Sequence, residues 1–371
     1  MVKPIDLSKF RTKAGKIDGI SVGFHDPKTW ISTSNYTLNY LISGRFDRGI
    51  PLSQISMLAG ESGSGKSLIS ANVIREALKQ DITVIAFDSE NGLTKEWLGN
   101  AGIDVDHYEQ KGQFMRIMVS LVDDVAKTIS EFMDGYTADY RDVDPDERPK
   151  LLFVIDSLGM LLTRTDIDQF SKGDIKGDMG RKPKALNALV RNCVVKFADW
   201  EVGLLATNHT YASQDMFNPD DTISGGGGFI FASSIVIAMK KGKLKEDEDG
   251  NKVTDVHGIR AMIKVVKSRY NKPFEGVHVK IPWKSGIDRF SGLVELFEKN
   301  NILVKDGNKL KYVDLKGVEH KYFRKYFSTD LGKELLTLIM EEFDEQLQAL
   351  NAPEIDDLIE ELEEANDGSD E

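Results

Sequence analysis

Gly60-Glu61-Ser62-Gly63-Ser64-Gly65-Lys66-Ser67 is the stretch on which the fold turns. It satisfies G-x-x-x-x-G-K-[ST] at every defined position. The apolar run Gln54–Ala59 stands before it and reads as a buried strand. The stretch Ser67–Lys79 follows and reads as a helix. A glycine-rich turn between strand and helix has a physical purpose. Gly60, Gly63 and Gly65 let the backbone bend until its N–H groups converge on phosphate oxygens. The helix that follows adds the positive end of its dipole. In this pattern the Lys66 ammonium reaches the β- and γ-phosphates and the Ser67 hydroxyl faces Mg²⁺. Gly60 through Leu68 is therefore the nucleotide-binding stretch.

Further apolar runs extend the pattern on both sides. Thr83–Asp88, Leu151–Asp156, Val202–Thr207, Ser234–Met239 and Ala261–Val266 read as strands, several nearly unbroken in apolar residues. Unbroken runs suit parallel strands covered on both faces. Helical patterns lie between them at Gln113–Phe132 and Lys184–Trp200. The order predicts an α/β fold with a mainly parallel, twisted, doubly wound sheet. The polar segment Asp134–Arg148 reads as a surface loop. Gly242–Val253 reads as a hairpin loop turning at Asp249-Gly250. Four regions follow: an N-terminal arm over 1–30 that packs on another body, a core over 31–290, a small α+β lid domain over 291–353, and an acidic tail over 354–371 that reads as disordered or as a frayed helix.

Composition sets limits. The 371 residues are 40% hydrophobic and 29% charged, an ordinary globular balance. No apolar run is long enough for a membrane span, and the N-terminus lacks a signal-peptide pattern. The single cysteine, Cys193, excludes an intrachain disulfide, so a cytoplasmic, reducing location fits. The net charge is −12, but the final 18 residues carry ten acids and no base. The rest of the chain is therefore near about −2, which leaves room for a basic surface and for nucleic acid.

Three acids close buried strands. Asp156 ends Leu151-Leu-Phe-Val-Ile-Asp156, at the edge where ligands bind in open α/β sheets. It is placed to hold Mg²⁺ through water, though a helix N-cap would use the same position. Asp88 and Glu90 follow Val84-Ile-Ala-Phe. Glu90 is the candidate to orient and deprotonate the water that attacks the γ-phosphate. Asp88 competes for that role, and spacing alone allows either acid to cap the next helix.

These residues, taken in order, carry a resemblance. Trp30-Ile-Ser-Thr-Ser-Asn-Tyr-Thr-Leu-Asn-Tyr precedes the phosphate loop. Phe87-Asp-Ser-Glu90-Asn-Gly-Leu, Ile155-Asp156-Ser157-Leu, Ala206-Thr-Asn208-His209-Thr and Lys264-Val-Val-Lys267-Ser-Arg269 follow it. Across about residues 30–290 the chain resembles the RecA family of ATP-dependent DNA-strand-exchange recombinases. The stretches Asn208-His209-Thr210-Tyr211 and Gln214-Asp-Met-Phe217 are most similar to its bacteriophage UvsX branch.

The resemblance implies a DNA-dependent ATPase that uses ATP and Mg²⁺ and forms filaments on single-stranded DNA. It implies pairing of that strand with homologous duplex DNA in recombination and repair, with mediator or single-strand-binding proteins as possible partners and no membrane. Glu90 matches the family's catalytic glutamate. Trp97 falls where the family stacks a ring on adenine, although a Trp there also suits a helix face. His209 takes the γ-phosphate sensor position, where bacterial members have glutamine and the phage branch has histidine. Lys267 and Arg269 match a basic pair inserted onto the neighbouring subunit's ATP, with Arg where Lys is usual. An edge strand with solvent-facing polar positions would look the same.

Two long connections are the implied DNA loops. The first spans about Asp166–Lys184 and includes Lys172, Lys176, Arg181, Lys182 and Lys184. The second spans about Thr210–Phe229, with Phe217 as the candidate wedge between bases and the run Gly225, Gly226, Gly227, Gly228. Basic side chains would meet phosphates there. Phe217 suits a packing anchor equally well, and the glycine run suits a plain linker. A hexameric helicase on the same core, or a regulatory ATPase resembling circadian-clock relatives, are the competing readings.

Overall fold

The computed structural model describes residues 7–14, 26–173, 180–197, 199–211, 222–224, 227–247 and 251–351. Its chain divides into two compact units, one formed by 1–244 with 256–289 and the other by 245–255 with 290–371.

The first unit is built on one large sheet. Strands β1 (Trp30–Ile31) and β2 (Ile50–Pro51) make a small antiparallel pair beside it. Its parallel centre consists of β3 (Ile55–Gly60), β4 (Thr83–Asp88), β5 (Phe114–Met118), β6 (Leu151–Asp156), β7 (Val202–Tyr211) and, beyond the short β8 (Thr222–Ile223), β9 (Ile235–Lys240). Antiparallel strands β10 (Lys243–Leu244), β11 (Gly258–Lys267) and β12 (Gly276–Pro282) complete one side. The spatial order is β5-β4-β6-β7-β3-β9-β11-β10, with β12 also on β11 and β8 on β7. Every residue of β3 and β6 is buried, including Ser56 and the terminal Asp156, as expected for central parallel strands covered on both faces.

Helices α1 (Ser8–Ala14), α2 (Tyr36–Ser43), α3 (Lys66–Lys79), α4 (Lys95–Asn100), α5 (Val105–Gln110), α6 (Val122–Tyr140), α7 (Arg164–Ser171), α8 (Arg181–Phe197) and α9 (Gly227–Ala232) belong to this unit. In α6, Val122, Val125, Ile129, Met133 and Tyr136 recur at helical spacing and are buried. Helix α8 does the same with Leu186, Leu189, Val190, Cys193 and Phe197. Phe153 of β6 is the hub between these helices and the sheet. Its ring centroid lies 5.7 Å from Phe197, 5.9 Å from Phe132 and 6.2 Å from Phe87. Cys193 is buried and its thiol is pushed up to about 12 by burial, so it packs and does not react.

Three sequence expectations change. Residues 114–118 form β5, not the start of a helix at Gln113. The pairing of β5 with β4 decides this, because Phe114, Met115, Ile117 and Met118 suit either state. Helix α6 then runs on to Tyr140, into the segment expected to be loop. It is held there by the Tyr136 hydroxyl, which donates to Pro149 O at 2.5 Å, and by Tyr136 and Tyr140 packing ring to ring. The first implied DNA loop is shorter than expected, since α7 includes Asp166 and α8 begins at Arg181. A Thr163/Asp166 capping box starts α7.

The second unit holds α10 (Leu293–Lys299), the antiparallel strands β13 (Val304–Asp306), β14 (Lys309–Val313) and β15 (Glu319–Tyr322), and α11 (Asp330–Asn351). Glu342 is buried there and accepts hydrogen bonds from the Tyr312 hydroxyl and Leu315 N. The Asp249-Gly250 turn and the acidic tail from 354 lie outside the described residues.

Candidate active site

The parallel register gathers the chemistry at one edge of the sheet. Gly60 pairs with His209, and Asp88 pairs with Asp156. Four neighbouring strands, β3, β7, β6 and β4, thus end side by side at their carboxyl ends.

The phosphate loop follows β3. Gly65 is in the left-handed region at φ +97°, a backbone conformation that favours glycine. Lys66 is buried, and its ammonium donates to Gly60 O and Glu61 O, each at 2.9 Å. Burial lowers its pKa, against the opposing pull of Asp156, Glu90 and Glu61. Lys241, just after β9, braces the loop from outside. Its N–H donates to Glu61 Oε1 at 2.9 Å and its ammonium to Ser62 O at 2.9 Å.

Asp156 is buried at the end of β6. Burial raises its pKa, with Glu90 and Asp88 adding to the effect, while hydrogen bonding from Thr207 and Ser67 opposes it. The Thr207 hydroxyl of β7 donates to Asp156 Oδ1. A buried carboxylate facing two hydroxyls and two further acids is a place where a cation would be stabilised. Among the described residues no cluster of three or more His, Cys, Asp or Glu side chains is arranged for a metal. Such a sparse donor set suits Mg²⁺, which takes one or two protein ligands beside substrate phosphates.

Asp88 and Glu90 have different surroundings. Asp88 is buried and accepts from Leu93 N at 2.9 Å, Glu90 N at 3.1 Å and Gly92 N at 3.2 Å. Arg116 of β5 adds Nη2 at 2.6 Å and Nε at 3.0 Å to Asp88 Oδ2. Burial opposes its ionisation, but the Arg116 and backbone hydrogen bonds outweigh burial and hold the carboxyl below the usual range. A carboxylate so fully occupied has no lone pair positioned for water. Glu90 is 39% exposed and keeps one oxygen between two side chains. The Ser157 hydroxyl donates to Glu90 Oε1 at 2.5 Å, and His209 Nε2 lies 3.1 Å from the same oxygen and 3.4 Å from Ser157 Oγ. Ser89 ties the two strand ends, donating to Ser157 O at 2.7 Å and accepting from Ser157 N at 2.9 Å.

Beside Gly65 and Leu68 opens a cleft of about 690 Å³. Trp97 lines it from α4, Ile281, Pro282 and Trp283 line it from the end of β12, and Asn72 from α3. Its size is that of a small-molecule site.

The basic residues expected at DNA and at a subunit interface are spread more widely. Lys267 donates to Phe231 O at 2.7 Å and Ile230 O at 3.2 Å, at the carboxyl end of α9. Arg181 donates to Thr165 Oγ1 at 2.8 Å, Lys184 is exposed on α8, and Lys182 turns inward to Gly159. Arg269 lies just past β11. Lys176, Phe217, Gly225 and Gly226 lie outside the described residues, while Gly227 and Gly228 open α9. Sequence reasoning did not single out Ser157, Thr207, Arg116 or Gly159. A polar residue just past or at the end of a buried strand was the available signal for Ser157 and Thr207, and Arg116 and Gly159 had none.

A phosphate loop, a buried acid on the next-but-one strand and a held glutamate, gathered at the carboxyl edge of a mainly parallel sheet, have the form of a P-loop ATPase site. Comparison with known proteins agrees. A family model described as "ATPase: KaiC" matches residues 36–171. The chain is 27% identical over 288 residues to the "Recombination and repair protein" of Enterobacteria phage T4, covering 77% of this chain and 67% of that protein. It is 24% identical over 277 residues to "Protein RecA" of Campylobacter hominis, covering 72% and 70% respectively. For "Protein RecA" of Limosilactobacillus reuteri the identity is 24% over 265 residues, covering 70% of this chain and 65% of that protein. The matches thus span about two thirds of these relatives. Among the described residues, no helix is long and apolar enough to cross a membrane.

Proposed function

We infer that this protein is an ATP-dependent recombinase that assembles on single-stranded DNA and pairs it with homologous duplex DNA. The observation that carries the reading is the contact of His209 with Glu90 at 3.1 Å. It joins the strand leading into the second implied DNA loop to the carboxylate proposed to activate water. The similarity to recombination proteins supports the same reading.

In this mechanism Lys66 and the backbone of residues 60–67 hold the phosphates. Ser67 and Asp156 would hold Mg²⁺, which when bound offsets charge on the β- and γ-phosphate oxygens. Trp97 and Trp283 flank the base and sugar in the adjoining cleft. Glu90 accepts a proton from water as its oxygen attacks the γ-phosphorus and the bond to the leaving ADP oxygen breaks. Ser157 and His209 fix the oxygen they share, which orients the other towards water. Lys267 and Arg269 act on the γ-phosphate of a neighbouring protomer, where developing charge favours cations. Lys267 must first leave the α9 carbonyls, so α9 feels the neighbour's nucleotide. Arg181, Lys184, Lys176 and Phe217 supply the DNA contacts, with mediator or single-strand-binding proteins as further partners.

Electron microscopy with single-stranded DNA and a non-hydrolysable ATP analogue tests this, together with joint-molecule formation from homologous duplex. Helical filaments and joint molecules are expected. Closed rings that unwind duplex without pairing would replace this reading with a helicase.

A further inference from the structure

Lys182 looks in the sequence like one more loop cation for a phosphate. Its place in the fold is different. It stands one residue into α8, half-buried, and its ammonium donates to Gly159 O at 2.5 Å. Gly159 is the middle of the single 3₁₀ turn Leu158–Met160 that follows β6, and Ser157 is that turn's N-cap. The turn touches both groups that hold Glu90. Ser157 bonds Glu90 directly. Gly159 lies flat against His209, and a Cβ added there would come within 2.5 Å of His209 Cδ2 and 3.4 Å of Asn208 Oδ1. Both contacts therefore depend on where this short turn sits, and Lys182 is what grips it from α8. Burial lowers the pKa of Lys182 against the pull of Asp166, consistent with an inward-facing ammonium.

We propose that Lys182 is a positioning residue for ATP hydrolysis: by holding the Gly159 carbonyl it keeps Ser157 and His209 on Glu90, and it is not a DNA-phosphate contact. The inference rests on Glu90 being the group that activates water. Lys182 lies in the first turn of the helix that follows the first implied DNA loop, so a movement of that helix would be felt at Glu90 through one hydrogen bond and one packing contact.

The test uses the full-length chain with saturating single-stranded DNA. Lys182→Met should lower kcat by about tenfold, because small misplacements of reacting groups cost rate steeply. KM for ATP and the salt dependence of DNA binding should stay within about twofold, since no phosphate contact is removed. Lys182→Arg, which keeps a donor, should recover most of the rate. Gly159→Ala should lower kcat similarly, and the double variant should be no worse than either single one, as groups acting through one contact are not additive. An unchanged kcat with weaker DNA binding and a shallower salt slope would overturn the proposal and return Lys182 to the DNA. So would an Arg variant as slow as Met. Glu90→Gln run in parallel separates the two levels. Full turnover in that variant sinks the role of Glu90 itself, whereas a dead Glu90→Gln beside a normal Lys182→Met sinks only the positioning role.

Discussion

Replacing Asp88 by Asn separates the two acids that end β4. The amide is nearly isosteric but removes the charge and one acceptor oxygen. In the native site Oδ2 receives both Arg116 nitrogens and Leu93 N, and Oδ1 receives Glu90 N and Gly92 N. An amide must turn its NH₂ toward one of these donor sets, so one set loses its acceptor whichever way it faces. Hydrogen bonds to a charged group are worth about 1.5–3 kcal/mol, and a half-buried guanidinium facing an amide in place of a carboxylate adds to the loss. Arg116 keeps Asn91 Oδ1 at 2.7 Å, which limits the damage. The expected cost is about 2–4 kcal/mol. With an unfolding entropy of about 2.1 cal/mol/K per residue, that lowers Tm by about 3–7 °C for the first unit.

The pH dependence has a definite sign. The folded-state carboxyl lies below the ordinary value, so ionised Asp88 stabilises the fold above its unfolded pKa of about 3.9. That contribution is lost as pH falls through the depressed folded value. Denaturation followed by circular dichroism from pH 7 to pH 2 should therefore show the variant's deficit shrinking below about pH 4. Turnover should survive at about a tenth of normal, because Glu90 loses only its backbone tether. An Asn variant with unchanged Tm and no turnover would refute this reasoning and make Asp88 the base.

Other expectations follow from the same geometry. Lys66→Ala should cut ATP turnover by at least about 100-fold in a coupled-enzyme assay, since it removes the charge aimed at the phosphates; near-normal turnover would refute the site. Thr207→Val keeps the shape of a buried side chain but takes a donor from Asp156, so chemical denaturation should show a loss of about 1–3 kcal/mol. A stability equal to the native chain would mean that the Asp156 carboxylate does not depend on that hydroxyl. Ala at both Lys267 and Arg269 should impair the filament's ATPase, and mixing it with Glu90→Gln protomers should restore part of the turnover. No recovery at any ratio would count against a site shared between protomers.

Much of the frame was legible in one dimension because it rests on local rules. An unbroken apolar run such as Leu151–Ile155 is stable only when covered on both faces, and a glycine-rich turn between strand and helix has few uses. Strand β5 was not legible, because a short edge strand declares itself only through its single neighbour, β4. The extension of α6 to Tyr140 was hidden for a similar reason, since Pro149 and Trp200, which Tyr136 meets, lie outside the helix.

The division is sharpest at the site. Sequence by itself determined the phosphate loop, the strand-ending acids and the α/β order, all of which depend on residue type at short spacing. Tertiary structure alone decided what engages each acid. Asp88 is engaged by Arg116 from 28 positions away, while Glu90 meets Ser157 and His209 from 67 and 119 positions away. It likewise turned Lys182 from the loop toward Gly159, 23 positions back. The physical reason is that hydrogen bonding and burial act between neighbours in space, and parallel strand register brings those neighbours together from distant parts of the chain.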